Sequence, residues 1–341
     1  MNNKEALTNK SETLKLSIIL IICLIVLLVL SVAVVQSFTK SPASNTGNPQ
    51  YIEIPNLEGM KLAEAKALLE GASIQYEIVP TTSKTPNKVE NVEYTGKTED
   101  AKVLVEIGTT VKLHANEVGK DKIIYLTFDD GPTRDNSNAI VLMLEKYGIK
   151  ASFFCTGKNI SLRPDRIEAM LLRGHIVACH SQTHEYEDIY FSTDAFITEV
   201  KQYESALMEV INESDLIDPD YFNQIKKIIR FPGGTNNSYL SGEGKALSYI
   251  SAVRALGYSV YDWTALTGDA VKDAPKDPQT LVSNLASSLS KVKNAGLDLI
   301  VLMHDNVYTN EALEDILDYL IAEGYYFDTI DNCPEYTFIE N

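Results

Sequence analysis

Residues 123–132 (IIYLTFDDGP) place an apolar run directly before polar and turn-forming residues. The run of six residues, 123–128, is typical of a strand buried on both faces of a parallel sheet. Asp129 and Asp130 follow it, and the next two residues, a glycine and a proline, end regular structure. The pattern predicts carboxylate chemistry at the carboxyl end of a buried strand, where barrels of such strands assemble active sites. For this tetrapeptide alone, a turn that only caps the strand is the alternative.

Downstream, strand-like and helix-like segments alternate. Apolar runs of strand character lie at 151–155, 176–179, 228–229, 259–263 and 297–303. Helical spacing lies between them at 139–147, 165–172 and 281–292, with one or two more helices expected within 185–227. This alternation is the signature of an α/β fold with a parallel sheet. Six or seven strand–helix units predict an irregular (β/α)7-type barrel.

A smaller unit precedes this region, at residues 51–116. Apolar side chains recur at helical spacing within 62–70, and alternating runs at 74–79 and 110–113 predict strands. One helix packed on a few strands makes this a small α+β domain.

Residues 16–35 carry no charge over twenty positions. At about 1.5 Å per residue, such a helix spans the roughly 30 Å of bilayer hydrocarbon. Three lysines precede the run and only Lys40 follows it closely. The positive-inside rule therefore predicts a cytoplasmic tail at 1–15 and export of the remainder. A cleaved signal peptide is the alternative, since 31–33 (SVA) offers the small residues that a signal peptidase needs, but the apolar run continues past that point.

Residues 36–50 are rich in Ser, Pro, Asn and Gly and predict a flexible linker. With the anchor, this arrangement predicts a single-pass cell-membrane protein whose catalytic domain is extracellular.

The charge balance restricts the partners. The chain has 30 basic and 47 acidic residues, a formal net charge of -17, which argues against nucleic acid. A neutral or amine-bearing substrate fits this surface better than a polyanion.

The four cysteines, Cys23, Cys155, Cys179 and Cys333, form neither a disulfide scaffold nor a zinc-finger pattern. Cys155 and Cys179 lie in strand-like runs and are interpreted as small buried hydrophobic residues. A bridge between those two is the alternative in an exported protein.

Two histidines, His180 and His184, follow the strand predicted at 176–179. If the segment turns helically, positions four apart share a face and both imidazoles can bind one metal ion. A carboxylate from the first strand would complete a His-His-Asp set with open coordination positions, which is typical of a catalytic ion. His114 and His175 lie outside this group and are interpreted as structural.

These residues resemble the motifs of one enzyme family, the NodB-homology polysaccharide deacetylases of carbohydrate esterase family 4. Residues 127–132 (TFDDGP) and 180–184 (HSQTH) resemble its first two motifs. The third, fourth and fifth are matched by 230–234 (RFPGG), 262–269 and 302–304 (LMH). The resemblance implies a deacetylase domain at 117–341.

The resemblance implies a role for each matching residue. The expected metal ligands are Asp130, His180 and His184. The expected catalytic residues are Asp129, His304, Arg230 and Asp269. The expected oxyanion and substrate contacts are Gly233, Pro232, Trp263 and Leu302. The implied cofactor is a divalent cation, Zn²⁺ in the first place, with Co²⁺, Mn²⁺ or Ni²⁺ as alternatives.

The implied mechanism divides the work. Asp129 is the general base that takes a proton from the attacking water, and His304 is the general acid that protonates the leaving amine. Arg230 orients Asp129, and Asp269 orients His304. The metal and the N–H of Gly233 stabilise the oxyanion.

Two positions depart from the family pattern. Gly233 stands where the third motif usually carries an aromatic residue, and Asp269-Ala270 stands where the fourth usually has Asp-Trp. Both changes are expected to widen the pocket.

The small unit resembles a PASTA module, through Pro55, Gly59, 64–65 (EA) and the closing run 108–113 (GTTVKL). This resemblance implies attachment to peptidoglycan; a spacer domain is the alternative. The expected function is removal of N-acetyl groups from cell-envelope glycan, above all peptidoglycan N-acetylglucosamine. The alternatives are a chitin-like or exopolysaccharide substrate, an O-acetyl ester, or an inactive wall-binding or sensory protein.

Overall fold

The structure of the protein, a computed structural model, describes residues 50–99 and 102–335. These ranges form two compact units, one of residues 50–81, 87–99 and 102–117 and one of 82–86 and 118–335. Within the described ranges no helix combines the length and apolar character needed to cross a membrane. The predicted tail (1–15), the predicted anchor (16–35) and all but the last residue of the predicted linker lie outside them.

The described part of the first unit contains one α-helix, α1 (Leu62–Gly71), and six strands. The strands are β1 (Tyr51–Ile54), β2 (Gln75–Val79), β3 (Asn91–Glu93), β4 (Gly96–Glu99), β5 (Lys102–Glu106) and β6 (Thr110–His114). They form two three-stranded sheets, in the orders β1-β5-β4 and β2-β6-β3. The predicted helix and two predicted strands are confirmed, whereas the other four strands were not predicted.

The second unit alternates strands and helices. Its strands are β7 (Ile123–Gly131), β8 (Ser152–Cys155), β9 (Ile176–Cys179), β10 (Ile228–Ile229), β11 (Ser259–Val260), β12 (Ala265–Leu266), β13 (Leu299–His304) and β14 (Tyr326–Asp328). Its α-helices are α2 (Asn136–Lys146), α3 (Gly157–Leu162), α4 (Pro164–Leu172), α5 (Tyr186–Ile189), α6 (Thr193–Glu213), α7 (Tyr221–Gln224), α8 (Lys245–Arg254), α9 (Pro278–Ala295) and α10 (Val307–Ala322). The predicted α/β class is confirmed.

The strands of this unit form one parallel sheet in the order β11-β10-β9-β8-β7-β13-β12. The eighth strand, β14, pairs in parallel with the first part of β7. The sheet is curled, and it is open because no pairing joins β11 to β12 in the described residues. It is compatible with the (β/α)7-type barrel that the sequence predicts.

Period-two alternation gives the sheet two buried faces. On β7, Ile124, Leu126 and Phe128 belong to the large core beneath the helices. Ile123 and Tyr125 belong instead to a second cluster on the inner face of the sheet. The next residues in that inward register are Thr127 and Asp129. The same alternation on the other strands directs one set of side chains toward the interior, and at the carboxyl ends that set is polar.

Three details differ from the sequence-based expectation. Residues 185–227 contain three helices, α5, α6 and α7, where one or two were expected. The strand expected at 259–263 is only two residues long, because the chain then crosses to β12 on the opposite edge of the sheet. Cys155 and Cys179 are buried free thiols, so the alternative of a disulfide between them is wrong.

Candidate active site

Strand register brings four polar side chains to one end of the sheet. His304, at the end of β13, is the direct ladder partner of Asp129 on β7. Ile229 of β10 pairs with Cys179 of β9, so the residues that follow them, Arg230 and His180, are also adjacent. All four share the inward register, which explains why residues far apart in sequence converge.

A bulge lets two consecutive aspartates face the same site. Asp129 pairs with Phe154 of β8, and Gly131 pairs with the next residue, Cys155, so Asp130 is skipped in the ladder. Asp130 has a φ of 70°, in the left-handed region. In a regular strand, neighbouring side chains point to opposite faces; the bulge removes that restriction.

The three expected metal ligands are brought together. Oδ1 of Asp130 lies 3.5 Å from Nε2 of His180 and 3.3 Å from Nε2 of His184. One ligand atom from each of the three residues lies within 4.8 Å of the other two. The same Oδ1 is buried and has no hydrogen-bond partner in the described part of the chain. An unpartnered buried carboxylate oxygen facing two imidazole nitrogens fits a divalent cation.

The protonation of His180 also suits metal binding. Nδ1 lies 2.9 Å from the backbone carbonyl of Arg230, so Nδ1–H donates to it and Nε2 keeps its lone pair. Burial lowers the pKa of His180 to about 3. The imidazole is therefore neutral at physiological pH, as a ligand must be.

The segment that links the two histidines is not helical, so the conditional expectation of a shared helix face is wrong. Ser181 and His184 both adopt positive φ, 69° and 63°, and the chain forms a tight loop. Glu199 of α6 holds this loop: its Oε2 accepts from the N–H of Gln182 at 2.9 Å and from the N–H of Thr183 at 2.8 Å. The imidazoles meet because a buried carboxylate anchors the loop from the adjacent helix.

Asp129 is paired with the fully buried Arg230. Arg230 Nη1 donates to Asp129 Oδ1 at 2.7 Å, and its guanidinium lies over the Phe154 ring at 4.0 Å. Burial raises the pKa of Asp129, and the positive charge of Arg230 offsets only part of that rise. The other carboxylate oxygen, Oδ2, lies 3.7 Å from Nε2 of His180. Asp129 is thus held at the edge of the three-ligand cluster.

His304 is supported by Asp269. Nδ1 of His304 lies 3.0 Å from Asp269 Oδ1, and the backbone N–H of His304 donates to Oδ2 at 2.7 Å. Burial lowers the pKa of His304, but the hydrogen bond and charge of Asp269 raise it more, to about 9. Despite the opposing effect of burial, the bonds from His304 and Thr309 lower the pKa of Asp269. At neutral pH this is an imidazolium–carboxylate pair.

The glycine pair of the third motif is covered by two aromatic rings. A Cβ on Gly233 would lie 2.8 Å from Oη of Tyr186, and one on Gly234 would lie 3.0 Å from the Trp263 ring. The expected widening at Gly233 is therefore wrong, because Tyr186 occupies the space of the missing side chain. The N–H of Gly233 donates to no acceptor within the described residues.

The remaining predicted contacts take different positions. Pro232 is buried, and its carbonyl accepts from Tyr190 Oη at 2.7 Å. Leu302 lies two residues before His304 on β13, in the same inward register. Of the two histidines interpreted as structural, His175 is buried and its Nδ1 accepts from the N–H of Ala151 at 3.2 Å.

Sequence reasoning missed several residues that position the site. Glu199 and Tyr186 are described above. Asp305 accepts from Thr133 Oγ1 at 2.7 Å and also from the hydroxyl of Ser137, which fixes the loop after the two aspartates. Asp305 could have been identified from the sequence, since it directly follows the fifth motif. Nothing in the sequence distinguished Glu199 from the other carboxylates of the long helix α6.

The sheet is curled and parallel, and it carries carboxylates, imidazoles and a candidate metal centre at its carboxyl end. This arrangement is typical of hydrolases built on a β/α barrel. A family model described as polysaccharide deacetylase matches residues 116–249. The chain belongs to this family, carbohydrate esterase family 4, and is a hydrolase of carbon–nitrogen bonds in linear amides.

Individual relatives agree with this assignment. A peptidoglycan-N-acetylglucosamine deacetylase of Bacillus cereus is 28% identical over 262 residues, covering 74% of this chain and 84% of the relative. A peptidoglycan-N-acetylmuramic acid deacetylase of Bacillus subtilis is 26% identical over 215 residues, covering 62% and 72%. The crystal structure of the catalytic domain of a peptidoglycan N-acetylglucosamine deacetylase from Eubacterium rectale is 31% identical, with a TM-score of 0.53 over 64% of this chain and 94% of that one.

Proposed function

We propose that this chain is a divalent-cation-dependent deacetylase of peptidoglycan that acts on its N-acetylglucosamine residues. The observation that carries the proposal is the cluster of Asp130, His180 and His184 beside the buried pair of Asp129 and Arg230. A structural ion would be expected to have four protein ligands, whereas three ligands leave positions for water and substrate.

The three ligands would hold the cation, Zn²⁺ in the first place, with Co²⁺, Mn²⁺ or Ni²⁺ as the alternatives for such a donor set. When bound, the cation would polarise the acyl carbonyl and lower the pKa of a bound water molecule to about 7. An acetamide needs this help because its carbonyl is a weak electrophile.

The chain's own residues would move the protons. Asp129, raised in pKa by burial, accepts the proton of the attacking water. Arg230 keeps this carboxylate in one orientation through the 2.7 Å bond. His304, protonated at neutral pH, donates a proton to the departing amine, and Asp269 holds its ring. The N–H of Gly233 donates to the oxygen on which charge develops.

The names of the relatives support the substrate. Two of the three relatives described above are N-acetylglucosamine deacetylases of peptidoglycan, and the third acts on N-acetylmuramic acid. The net charge of -17 is compatible with a neutral glycan whose product carries an amine. Chitin-like and exopolysaccharide substrates are outcomes that the experiment distinguishes.

The proposal includes the location. Residues 16–35 hold the chain in the cell membrane, 36–50 act as the tether, and the PASTA-like unit at 51–116 attaches to peptidoglycan. Resistance of the full chain to extraction from membranes at high pH, together with protease access to the catalytic unit in intact cells, tests this arrangement. Release of the chain by alkali would contradict the anchor.

The central experiment measures acetate release from purified peptidoglycan. We expect release by the full chain, loss after chelation, and recovery when Zn²⁺ is returned. Mass analysis of muramidase-digested fragments should place the lost acetyl group on glucosamine and not on muramic acid. The matched control is Asp129→Asn, which should release no acetate. Background release with every cation would instead favour an inactive wall-binding protein.

A further inference from the structure

Tyr186 occupies the space on the side-chain side of Gly233. A Cβ built there would lie 2.8 Å from Oη and 3.1 Å from Cε1 of Tyr186. Tyr186 comes from a different segment, the start of α5, two residues after His184. The phenol therefore reaches the third-motif loop only because position 233 carries no side chain.

The ring of Tyr186 is held in place from several sides. Its centroid lies 5.3 Å from that of His184, with the rings nearly perpendicular, and 5.9 Å and 5.4 Å from those of Tyr190 and Tyr239. Tyr186 is half-buried. These contacts fix the phenol between a candidate metal ligand and the loop that carries the candidate oxyanion donor.

The hydroxyl of Tyr186 differs from those of its neighbours. Tyr190 Oη donates to the carbonyl of Pro232 at 2.7 Å, and Tyr239 Oη donates to Glu187 Oε1 at 2.8 Å. Among the described residues, no hydrogen-bond partner is found for Tyr186 Oη. A positioned O–H without a protein acceptor, 2.8 Å from the Cβ position of a glycine whose N–H also donates to none, matches a preorganised pair of donors.

We propose that the hydroxyl of Tyr186 is a second donor to the acyl oxygen of the substrate, together with the N–H of Gly233. This inference rests on the proposed function. As water attacks the carbonyl carbon, the π electrons move onto the oxygen, and the phenol O–H donates a hydrogen bond to it without losing its proton. The bond contributes most when that negative charge has developed, so it lowers the barrier and affects substrate binding less.

The test is steady-state deacetylation of soluble glycan fragments of peptidoglycan by the full, Zn²⁺-loaded chain. Tyr186→Phe should lower kcat about 100-fold to 1,000-fold, as loss of one oxyanion donor does, with little change in KM. Zinc content and melting temperature should match those of the wild type. The control, Tyr147→Phe, removes a phenol hydroxyl that bonds to Asp318 of α10 and should leave kcat unchanged.

A second substrate separates hydrogen bonding from packing. Sulfur is a weak hydrogen-bond acceptor, so on the N-thioacetyl analogue the ratio of wild-type to Tyr186→Phe rates should shrink toward one. An equal ratio on both substrates, loss of zinc in the variant, or a kcat within about two-fold of wild type would each overturn the inference. A wild-type chain that is inactive on both would overturn the proposed function as well.

Discussion

Arg230 donates from Nη1 to Asp129 Oδ1 at 2.7 Å, and its own backbone carbonyl lies 2.9 Å from Nδ1 of His180. One buried residue therefore orients both the candidate base and a candidate metal ligand. Three further bonds hold the guanidinium: Nη1 donates to Thr127 Oγ1, Nε to the Tyr261 carbonyl and Nη2 to the Asp262 carbonyl.

Replacing this guanidinium should lower the free energy of unfolding of the protein. Arg230→Met leaves Asp129 buried without its charge partner, and breaking a buried pair costs about 3–5 kcal/mol. Urea unfolding of the metal-free chain measures the loss. The comparison is Arg254→Met, which breaks a partly exposed pair with Glu335 and should cost about 1 kcal/mol or less. Equal effects of the two variants would contradict the importance assigned to the buried pair.

The two aspartates should be separable by metal content. Asp129→Asn removes the base and should abolish acetate release while bound Zn²⁺ is retained, because Asp129 is not among the three clustered ligands. His180→Ala should lose both activity and metal, since two ligands remain. Metal analysis of the purified variants provides the measurement. If Asp129→Asn also strips the ion, the division of roles between Asp129 and Asp130 is wrong.

The pH profile should report the pair of His304 and Asp269. With a folded pKa of about 9, His304 stays protonated at neutral pH, and kcat/KM should fall as pH rises through about 9. The raised pKa also stabilises the fold: this contribution is complete below the ordinary pKa of 6.5 and is lost as pH rises through about 9.

Removing the carboxylate of Asp269 should change the pH at which kcat/KM falls on the alkaline side of the profile. In Asp269→Asn the lowering effect of burial on the pKa of His304 is opposed only by the weaker effects of the Asp129 and Asp130 charges, so the fall of kcat/KM should shift to lower pH. The control is Asp273→Asn, an exposed carboxylate in the same loop with a positive φ that Asn tolerates. If the fall of kcat/KM in Asp269→Asn occurred at the same pH as in the wild type, His304 would not be the group that titrates.

Glu199 should matter for metal affinity. Its Oε2 accepts three bonds from the loop between the histidines: two from N–H groups and one from Thr183 Oγ1 at 3.0 Å. Glu199→Ala should weaken Zn²⁺ binding about 10-fold to 100-fold, as loss of an outer-shell partner does. Competition with a chromogenic chelator measures the affinity. Glu209→Ala, an exposed position on the same helix, should leave it unchanged.

Several elements could be predicted from local pattern because local pattern creates them. The continuous apolar run of β7 requires burial on both faces, and α2, α4 and α9 show their apolar periodicity directly. The amphipathic α10 was not predicted, although Asn306 caps it and Leu313, Ile316, Leu317 and Leu320 recur at helical spacing. The two-residue strands β10, β11 and β12 carry too few residues to show a period.

In the site, the reactive residues could be predicted from the sequence, whereas the conformation around them could not. The motifs identified Asp130, His180 and His184, but a helical turn was expected where the chain forms a loop with positive φ at Ser181 and His184. Tyr186 was not identified at all, because its position depends on the absence of a side chain at Gly233, which lies in another segment.

The sequence by itself determined the alternation of strands and helices, the polar strand ends and the identity of the reactive groups, because these depend on residues close together in the chain. Only the tertiary structure decided that Asp129 and Asp130 face the same site, through a bulge, and that Glu199 and Tyr186 complete the surroundings of the histidines. Those relationships arise from strand register and from packing between distant segments, and neither is encoded in local spacing.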